Sequence, residues 1–430
     1  MKPNIMLIVI DSFNADKFFG KNKTSKTPTI DSLIENGTLF VNAVSSADAT
    51  LLSTTSLFTA KYPFKTGIRS PRVNKLKNGV KTYFSTLKNN DYYLYAYRPT
   101  LQENDDLFPK FENDDNLYNV FQNLSDGLGD KIINLLGMKT MKEPWFFFIH
   151  PHDLHQPIII SEGFEDDKFG SSNYEKQVSA VDWWIGKILE KIDLTKTLLI
   201  ITADHGSFIK SLVVDGKTQI EADGKTQMQI SQLSNKLPKF LEPLKNKIFF
   251  SVESRKQRKK EQFVSKLDMP LHVKRNLLAG RFNVNHSVFD DQVRIPLLFA
   301  GTGVKKGIKI LQQVRNVDIF PTICDIIGIT NENDVDGISL KPSLDGSTFK
   351  EQPAYLESNP LILKKSNDVI GIRTSKYKYF RDKNEPTKRI HLYNLQDDPF
   401  EDNNIAHERS DIVNEMETLL QEIIKGYSLD

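Results

Sequence analysis

A chain of 430 residues, 39% hydrophobic and 26% charged, is long enough for a large core and has the makeup of a folded protein of two or three domains. Its formal net charge of +2 singles out no polyanionic partner, and no nucleic-acid ligand is expected. The one cysteine, Cys324, sits in the apolar run V-D-I-F-P-T-I-C-D-I-I-G, which excludes an internal disulfide and reads as core.

The chain opens directly into a strand, with nothing resembling a signal peptide. No stretch approaches the roughly 18 apolar residues of a membrane span, so a cytoplasmic protein without one is expected. Asn4 to Ile10 (N-I-M-L-I-V-I) is continuously apolar, as in a parallel strand covered on both faces, and it stops abruptly at Asp11-Ser12. A carboxylate there lies where open α/β sheets place their ligands. Thr27 to Gly37 reads as a helix with Thr27 as N-cap, Pro28 at N1, Ile30, Leu33 and Ile34 on the buried stripe, and Gly37 as its end.

A short strand at Phe40–Val44 is broken by Ser45, Ser46, Ala47 and Asp48, and T-L-L-S-T-T-S-L-F-T from Thr50 to Thr59 then takes a helical pattern. Thr50 therefore sits at a helix N-terminus. There it could simply cap the helix, or it could act on an anion drawn by the unpaired N–H groups and the macrodipole. A helix near Thr82–Lys88 and a strand at Tyr92–Tyr97 follow, and 100–126 is acidic and Asn-rich, as in surface loops.

Pro144 to His150 (P-W-F-F-F-I-H) is a second buried strand running into H-P-H-D-L-H-Q-P, and an amphipathic helix spans Tyr174–Ile192. A third buried strand, Thr197–Ala203, ends in Asp204-His205-Gly206. Three buried strands far apart in sequence thus all end in Asp or Asp/His, an arrangement that binds metal and gives a core nothing.

Residues 207–285 interrupt the alternation. They carry a strong excess of Lys and Arg, two D-G-K-T-Q copies from Asp215 and Asp223 that read as turns of a small β-meander, and the run R-K-Q-R-K-K at 255–260. That run is either a solvated helix face or an arm for guiding anions or for self-association. The pattern resumes at Asn285-His286 with the strand Arg294–Ala300 and the helix Val317–Gly328. Short strands at 354–357, 369–373, 377–381 and 390–392 then precede a helix over 411–425. This predicts a three-layer α/β/α sandwich on a mostly parallel sheet over 1–350, and a small antiparallel α+β subdomain over 351–430.

Six segments in order resemble the sulfatases of the alkaline phosphatase superfamily. They are P-N-I-M-L-I-V-I-D-S, the Phe40–Pro63 stretch with S-L-F-T-A, F-F-F-I-H-P-H-D-L-H-Q-P, L-I-I-T-A-D-H-G, H-S-V-F-D-D-Q-V-R-I-P-L-L-F, and the D-I-F-P-T-I-C-D-I-I-G-I stretch with D-G-I-S-L and R-T-S-K-Y-K-Y-F-R. The resemblance implies Thr50 as nucleophile and Asp11, Asp204 and His205 as ligands of a divalent metal. It further implies Asp153 and His286 in a second metal site, with His155, Ser12 and His150 touching the substrate or that second ion. One or two ions of Ca, Mn, Mg or Zn would serve such ligands. His150 and His152 are each as readily packed side chains as ligands.

The departures are informative. Most sulfatases carry a Cys or Ser that becomes formylglycine, and Thr50 cannot. Leu52 and Thr54 replace the family's Pro and Arg, and Ser12 replaces a second metal-binding Asp. These changes favour a metal-dependent hydrolase or transferase of phosphate esters working through Thr50, on a small-molecule, glycan or lipid ester. The alternatives are a sulfate-ester hydrolase without formylglycine, and a non-catalytic relative that binds anionic glycans. The 207–285 insertion is expected to be an addition to a loop at the active edge, dispensable for chemistry on a small ester.

Overall fold

In the computed structural model the described residues are 2–70, 73–100, 106–138, 141–208, 212–214, 217–220, 258, 261–279, 288–330, 334–359 and 368–426. In chain order the main elements are β1 (Asn4–Ile10), α1 (Pro28–Glu35), β2 (Gly37–Val44), α2 (Thr50–Thr59), α3 (Tyr83–Lys88), β3 (Tyr93–Pro99) and β4 (Leu117–Tyr118). Next come α4 (Leu128–Gly137), β5 (Trp145–Ile149), α5 (Asn173–Leu189), β6 (Thr197–Ala203), β7 (Leu212–Val214), β8 (Lys217–Ile220) and α6 (Leu271–Leu278). Then follow β9 (Arg294–Gly301), β10 (Ile308–Arg315), α7 (Ile319–Ile326), β11 (Ala354–Glu357), β12 (Val369–Arg373), β13 (Tyr377–Asp382), β14 (His391–Asn394) and α8 (Ser410–Lys425).

Eight strands form the central sheet in the order β10-β2-β9-β6-β1-β5-β3-β4, all parallel but β9, which runs against β2 and β6. The continuous apolar runs that predicted buried strands are β1, β5 and β6, adjacent at the centre of the sheet and buried along their whole lengths. Both faces are covered because alternate side chains of β5 each find a helical or aromatic layer. Phe148 packs on Phe58 of α2 at 4.9 Å and Phe146 on Phe84 of α3 and Phe320 of α7, while Phe147 turns to Tyr95 and Tyr97. The molecule is the three-layer sandwich that the alternation of elements predicts, with a second, antiparallel sheet β11-β12-β13-β14 behind it. Helix α8 lies on that second sheet through Ile412, Met416 and Leu420, with Glu417 held by both Arg381 and Tyr379. No helix among the described residues is long and apolar enough to cross a membrane.

Three local expectations differ in the structure. The Thr27 side chain does not cap α1; instead the Asp182 carboxylate, reaching across from α5, accepts the N–H groups of Thr29 and Ile30. Gly37 opens β2 rather than closing α1, and it is glycine for space, since a Cβ there would lie 2.4 Å from the carbonyl oxygen of Phe299 on β9. Strand β10 has no counterpart in the sequence reading: its exposed Leu311 and paired Gln312 and Gln313 break the apolar alternation at a bulge against β2. Strands β7 and β8 pair antiparallel on either side of the first Asp-Gly pair, and that pair, like the whole second copy, lies outside the described residues.

His391, stacked on Phe380 at 4.4 Å, couples the second sheet to acidity. Burial, aided by Arg389 and Arg275, pushes its imidazole down from 6.5 to about 4. Between those values the unfolded chain binds a proton that the folded chain refuses. Stability is therefore full above pH 6.5 and falls toward pH 4. In urea titrations, His391→Phe is expected to gain on the wild type as pH drops from 7 to 4, by at most about 3 kcal/mol. Parallel curves for the two proteins would remove His391 as a source of acid sensitivity.

Candidate active site

Four parallel strands deliver side chains to one end of the central sheet. Asp11 follows β1, the Thr50 segment follows β2, His150 and His152 follow β5, and Asp204 and His205 follow β6. This is the carboxyl edge, where strand ends open between neighbouring connections. Thr50 is the first residue of α2, behind Ala49, and its side chain makes no capping bond. Its hydroxyl points instead into the cluster, donating to Asp11 Oδ2 at 3.2 Å and lying 3.2 Å from His205 Nε2.

Asp11 and Asp204 are both fully buried and converge on the same point. Ser12, held at a positive φ of 59°, ties them together: its hydroxyl donates to Asp11 Oδ1 at 2.6 Å and its N–H to Asp204 Oδ1 at 3.1 Å. Asp204 Oδ1 also accepts the His205 N–H at 2.7 Å, which leaves Asp204 Oδ2 buried with no hydrogen bond among the described residues. His205 Nε2 lies 3.5 Å from that oxygen and His150 Nε2 3.8 Å from it, and His150 Nε2 is again 3.8 Å from Asp11 Oδ2. An orphaned carboxylate oxygen ringed by a second carboxylate, two imidazoles and a hydroxyl fits a divalent cation.

The imidazoles are set for that role by their far nitrogens. His205 Nδ1 lies 2.6 Å from the carbonyl of Gly206 and His152 Nδ1 3.1 Å from that of Val120. A proton held on Nδ1 leaves each Nε2 lone pair facing the carboxylates, the arrangement seen behind metal-bound histidines. The electrostatics agree. Burial alone would raise the Asp11 carboxyl, but His152, His155 and His205 hold it well below the usual range. Asp204, lacking comparable help, is pushed up to about 6 by burial and the Asp11 charge. Burial opposes charge on His152 and His205, yet the carboxylates outweigh it and raise both, while buried His150 falls to about 3. Without a cation the pocket carries two carboxylates that cannot both be comfortably ionised.

Among the described residues, two groups of side chains can hold an ion: Asp11 with Asp204 and His205, and Asp11 with His152 and His155. His155 is exposed at the mouth with its ring stacked on His152 at 4.2 Å. The second group differs from the expected one. Asp153, expected as a ligand, faces away: its carboxylate accepts the Leu124 N–H at 3.1 Å and the Gln177 side-chain amide at 3.1 Å, and burial pushes it up to about 7. It serves as a buried acceptor for a helix start, and it belongs to neither group. His286 lies outside the described residues. Ser12 orients the two carboxylates, with its hydroxyl occupied by Asp11. His152, by contrast, stands 3.2 Å from Asp11 Oδ2. Its signal in the sequence is the H-P-H pair at the end of a buried strand, which does not by itself choose between ligand and packing.

The sequence pattern that defines the sulfatases matches residues 3–329. The chain belongs to the sulfatase family. A second pattern, the C-terminal part of N-sulphoglucosamine sulphohydrolase, matches residues 280–426 and so takes in the second sheet. Among curated relatives, arylsulfatase K of Mus musculus is 30% identical over 144 residues, 32% of this chain and 26% of the relative. Delta 4,5-hexuronate-2-O-sulfatase of Bacteroides thetaiotaomicron is 31% identical over 148 residues, 32% of this chain and 30% of the relative. These matches thus span under a third of those proteins' lengths. The whole fold is shared with the phosphonate monoester hydrolase of Agrobacterium radiobacter, at a TM-score of 0.69 and 17% identity over 99% of this chain and 96% of that one. It is shared equally with a structure solved with its substrate D-glucosamine-2-N,6-O-disulfate, at a TM-score of 0.68 and 16% identity over 100% and 98% of the two chains. Enzymes of the sulfatase family bind a divalent metal, and the Asp11 cluster of this chain can hold one.

Loss of either Asp204 or His205 from the Asp11 cluster is expected to show in binding before any assay of turnover. Asp204→Asn and His205→Ala should each weaken binding of Mn²⁺ or Ca²⁺, measured by titration calorimetry, by at least about 10-fold while far-UV circular dichroism stays unchanged. Undiminished affinity in both variants would place the ion elsewhere.

Proposed function

We propose that this chain is a metal-dependent ester hydrolase in which unmodified Thr50 attacks the sulfur or phosphorus of an anionic ester. The observation that carries the reading is the placement of the Thr50 hydroxyl, at the first residue of α2 and 3.2 Å from both Asp11 Oδ2 and His205 Nε2. A hydroxyl used as a cap would turn back onto its own helix. This one faces a carboxylate able to take its proton and an imidazole able to hold a cation beside it, at a helix N-terminus that favours negative charge.

Asp11, Asp204, His205 and Thr50 would hold the ion, whose presence lowers the pKa of the hydroxyl and offsets charge on the transferred group. As Thr50 Oγ1 bonds to the central atom, its proton passes to the Asp11 carboxylate, to which it already donates, and the bond to the alcohol breaks on the opposite side. The Ser12 contacts keep both carboxylates aimed while this happens. Water then resolves the covalent ester of Thr50, or a second alcohol takes the group in a transfer. The pairing of Asp11 with His152 and His155 supports a second ion beside the first, with Asp11 shared.

Family membership supports a sulfate ester as substrate. A specific observation supports a phosphate ester instead. The residue four positions after the nucleophile is Thr54, whose hydroxyl donates to the Thr50 carbonyl at 2.6 Å, so nothing there resembles the Arg that steadies formylglycine in the sulfatases. A panel of aryl sulfates, phosphate monoesters and phosphate diesters separates the two, with kcat/KM as the measure. Thr50→Ala should lose several orders of magnitude on whichever ester is turned over, with metal content kept. A variant retaining more than about a tenth of wild-type rate would assign the nucleophile elsewhere. Elemental analysis should find close to one ion fewer per chain in His152→Ala than in the wild type; equal metal content would confine the site to a single ion.

A further inference from the structure

The sequence marks 207–285 as an addition to a loop, yet its last helix, α6, is tied to the residues that hold the catalytic loops together. Those residues are the turn Asp290–Val293, just ahead of β9. Three consecutive carbonyls of this turn each accept from a different loop of the site. The Asp291 oxygen takes the Asn14 side-chain amide at 3.2 Å, the Gln292 oxygen takes the Gly206 N–H at 2.7 Å, and the Val293 oxygen takes the Ser45 N–H at 2.7 Å. Asn14 lies three residues after Asp11, Gly206 follows His205, and Ser45 opens the segment leading to Thr50. The approach is close enough to require glycine at 206, where a Cβ would lie 2.2 Å from the Asp291 oxygen. The loops that carry Asp11, His205 and Thr50 therefore share one support.

Two sets of charges hold the support in place. From the second sheet, Arg373 and Lys378 grip the Asp290 carboxylate, and Glu401 accepts the Asp290 N–H at 2.7 Å. From the insertion, Arg275 of α6 donates to Asp291 Oδ2 at 3.2 Å and to the carbonyls of Phe400 at 2.9 Å and Glu401 at 3.2 Å. Its guanidinium lies 3.7 Å from the centre of the Phe289 ring. One planar side chain thus bridges the insertion, the loop after β14 and the turn under the active site. The planar fork of Arg suits several fixed acceptors at once, which a Lys cannot match.

We propose that Arg275 is a positioning residue, and that α6 works as a clasp that fixes the 290–293 turn and, through it, the spacing of the Asp11, Thr50 and His205 loops. The inference rests on the reading of those residues as one site, but its test does not require turnover. Arg275→Met keeps an unbranched apolar side chain and removes the guanidinium, and with it every hydrogen bond and the cation over Phe289. In hydrogen exchange, the amides of Gly206 and Ser45 should open at least about 10-fold faster than in the wild type. Affinity for Mn²⁺ should fall about 10- to 100-fold, as when the outer partner of a metal ligand is lost. Met416→Ala, which lightens the packing of α8, serves as the control: it should lower Tm without moving either readout. Asp291→Asn tests the same link from the other side if Arg275→Met fails to fold. Unchanged exchange at Gly206 and Ser45 in a folded Arg275→Met protein overturns the proposal, whatever happens to its activity. Equal acceleration in Met416→Ala reduces Arg275 to a general contribution to stability and overturns it as well. Should the wild type turn over no ester, accelerated exchange still supports the clasp and only the catalytic reading falls.

Discussion

Two carboxylates are buried side by side at the end of the central sheet, and much of the structure follows from keeping them there. Asp11 and Asp204 end neighbouring parallel strands, β1 and β6, whose register pairs Ile10 with Ala203. Burying one anion without a partner costs several kcal/mol, and a second anion beside it compounds the cost. The chain offsets this with fixed dipoles: the Ser12 hydroxyl and N–H, the His205 N–H, the start of α2, and imidazoles whose lone pairs are turned inward. Those groups still leave Asp204 Oδ2 without a hydrogen bond. A doubly charged ion is the ligand that would complete the balance, and it explains why a hydroxyl rather than a capping bond is found at Thr50.

What could be read from the sequence was whatever depends on local pattern. β1, β5 and β6 are unbroken apolar runs because each is covered on both faces, and Asp11, Asp204 and His205 show up as the charges that end them. Thr50 emerges from a Ser-rich break before a helical repeat. What could not be read depends on partners far along the chain. Asp153 sits beside His152 in sequence, but its direction is set by Leu124 and Gln177, 29 and 24 residues away. Thr27 has the chemistry of a cap, and Asp182 of another helix does the capping. Strand β10 pairs only with β2 at the edge of the sheet, so it needs no apolar alternation and announces none.

The second sheet is more than a cover for one face. Its β11 bridges to the Thr50 segment at Ala47 and Glu357, and Asp48 accepts the Asn359 N–H at 2.6 Å. Arg69 and Lys383 meet the fully buried Glu357 carboxylate at the same seam. With Lys378 and Arg373 on Asp290, the boundary between the two sheets is built from paired charges rather than from apolar contact alone. Breaking one member of such a pair leaves the other buried and uncompensated, so the sheets are held in one relative register. That register places the loop after β14 within reach of the 290–293 turn.

The helix that carries Thr50 shows how the departures from the sulfatase pattern fit together. Residues Leu52–Thr59 of α2 are all buried, although five of the eight are Ser or Thr. Their hydroxyls are largely used up locally: Thr54 bonds the Thr50 carbonyl, Thr55 that of Leu51 at 2.6 Å and Thr59 that of Thr55 at 2.7 Å, while Ser53 reaches the Asp204 carbonyl. Such back-bonding lets polar side chains be buried without outside partners, and it anchors α2 to the loop of β6. An Arg at 54 would need a buried anionic partner, and a modified aldehyde at 50 would need that Arg. With Thr at both positions neither need arises, and the Thr50 hydroxyl is carried on a helix rigidly packed against the Asp204 loop. The cost is chemical. On the proposed reading, an ester of Thr50 would wait for water or an alcohol to attack the central atom. On that reading the site would depend on how closely Asp11, Asp204 and His205 are held around that atom, a demand that the shared 290–293 turn is placed to meet.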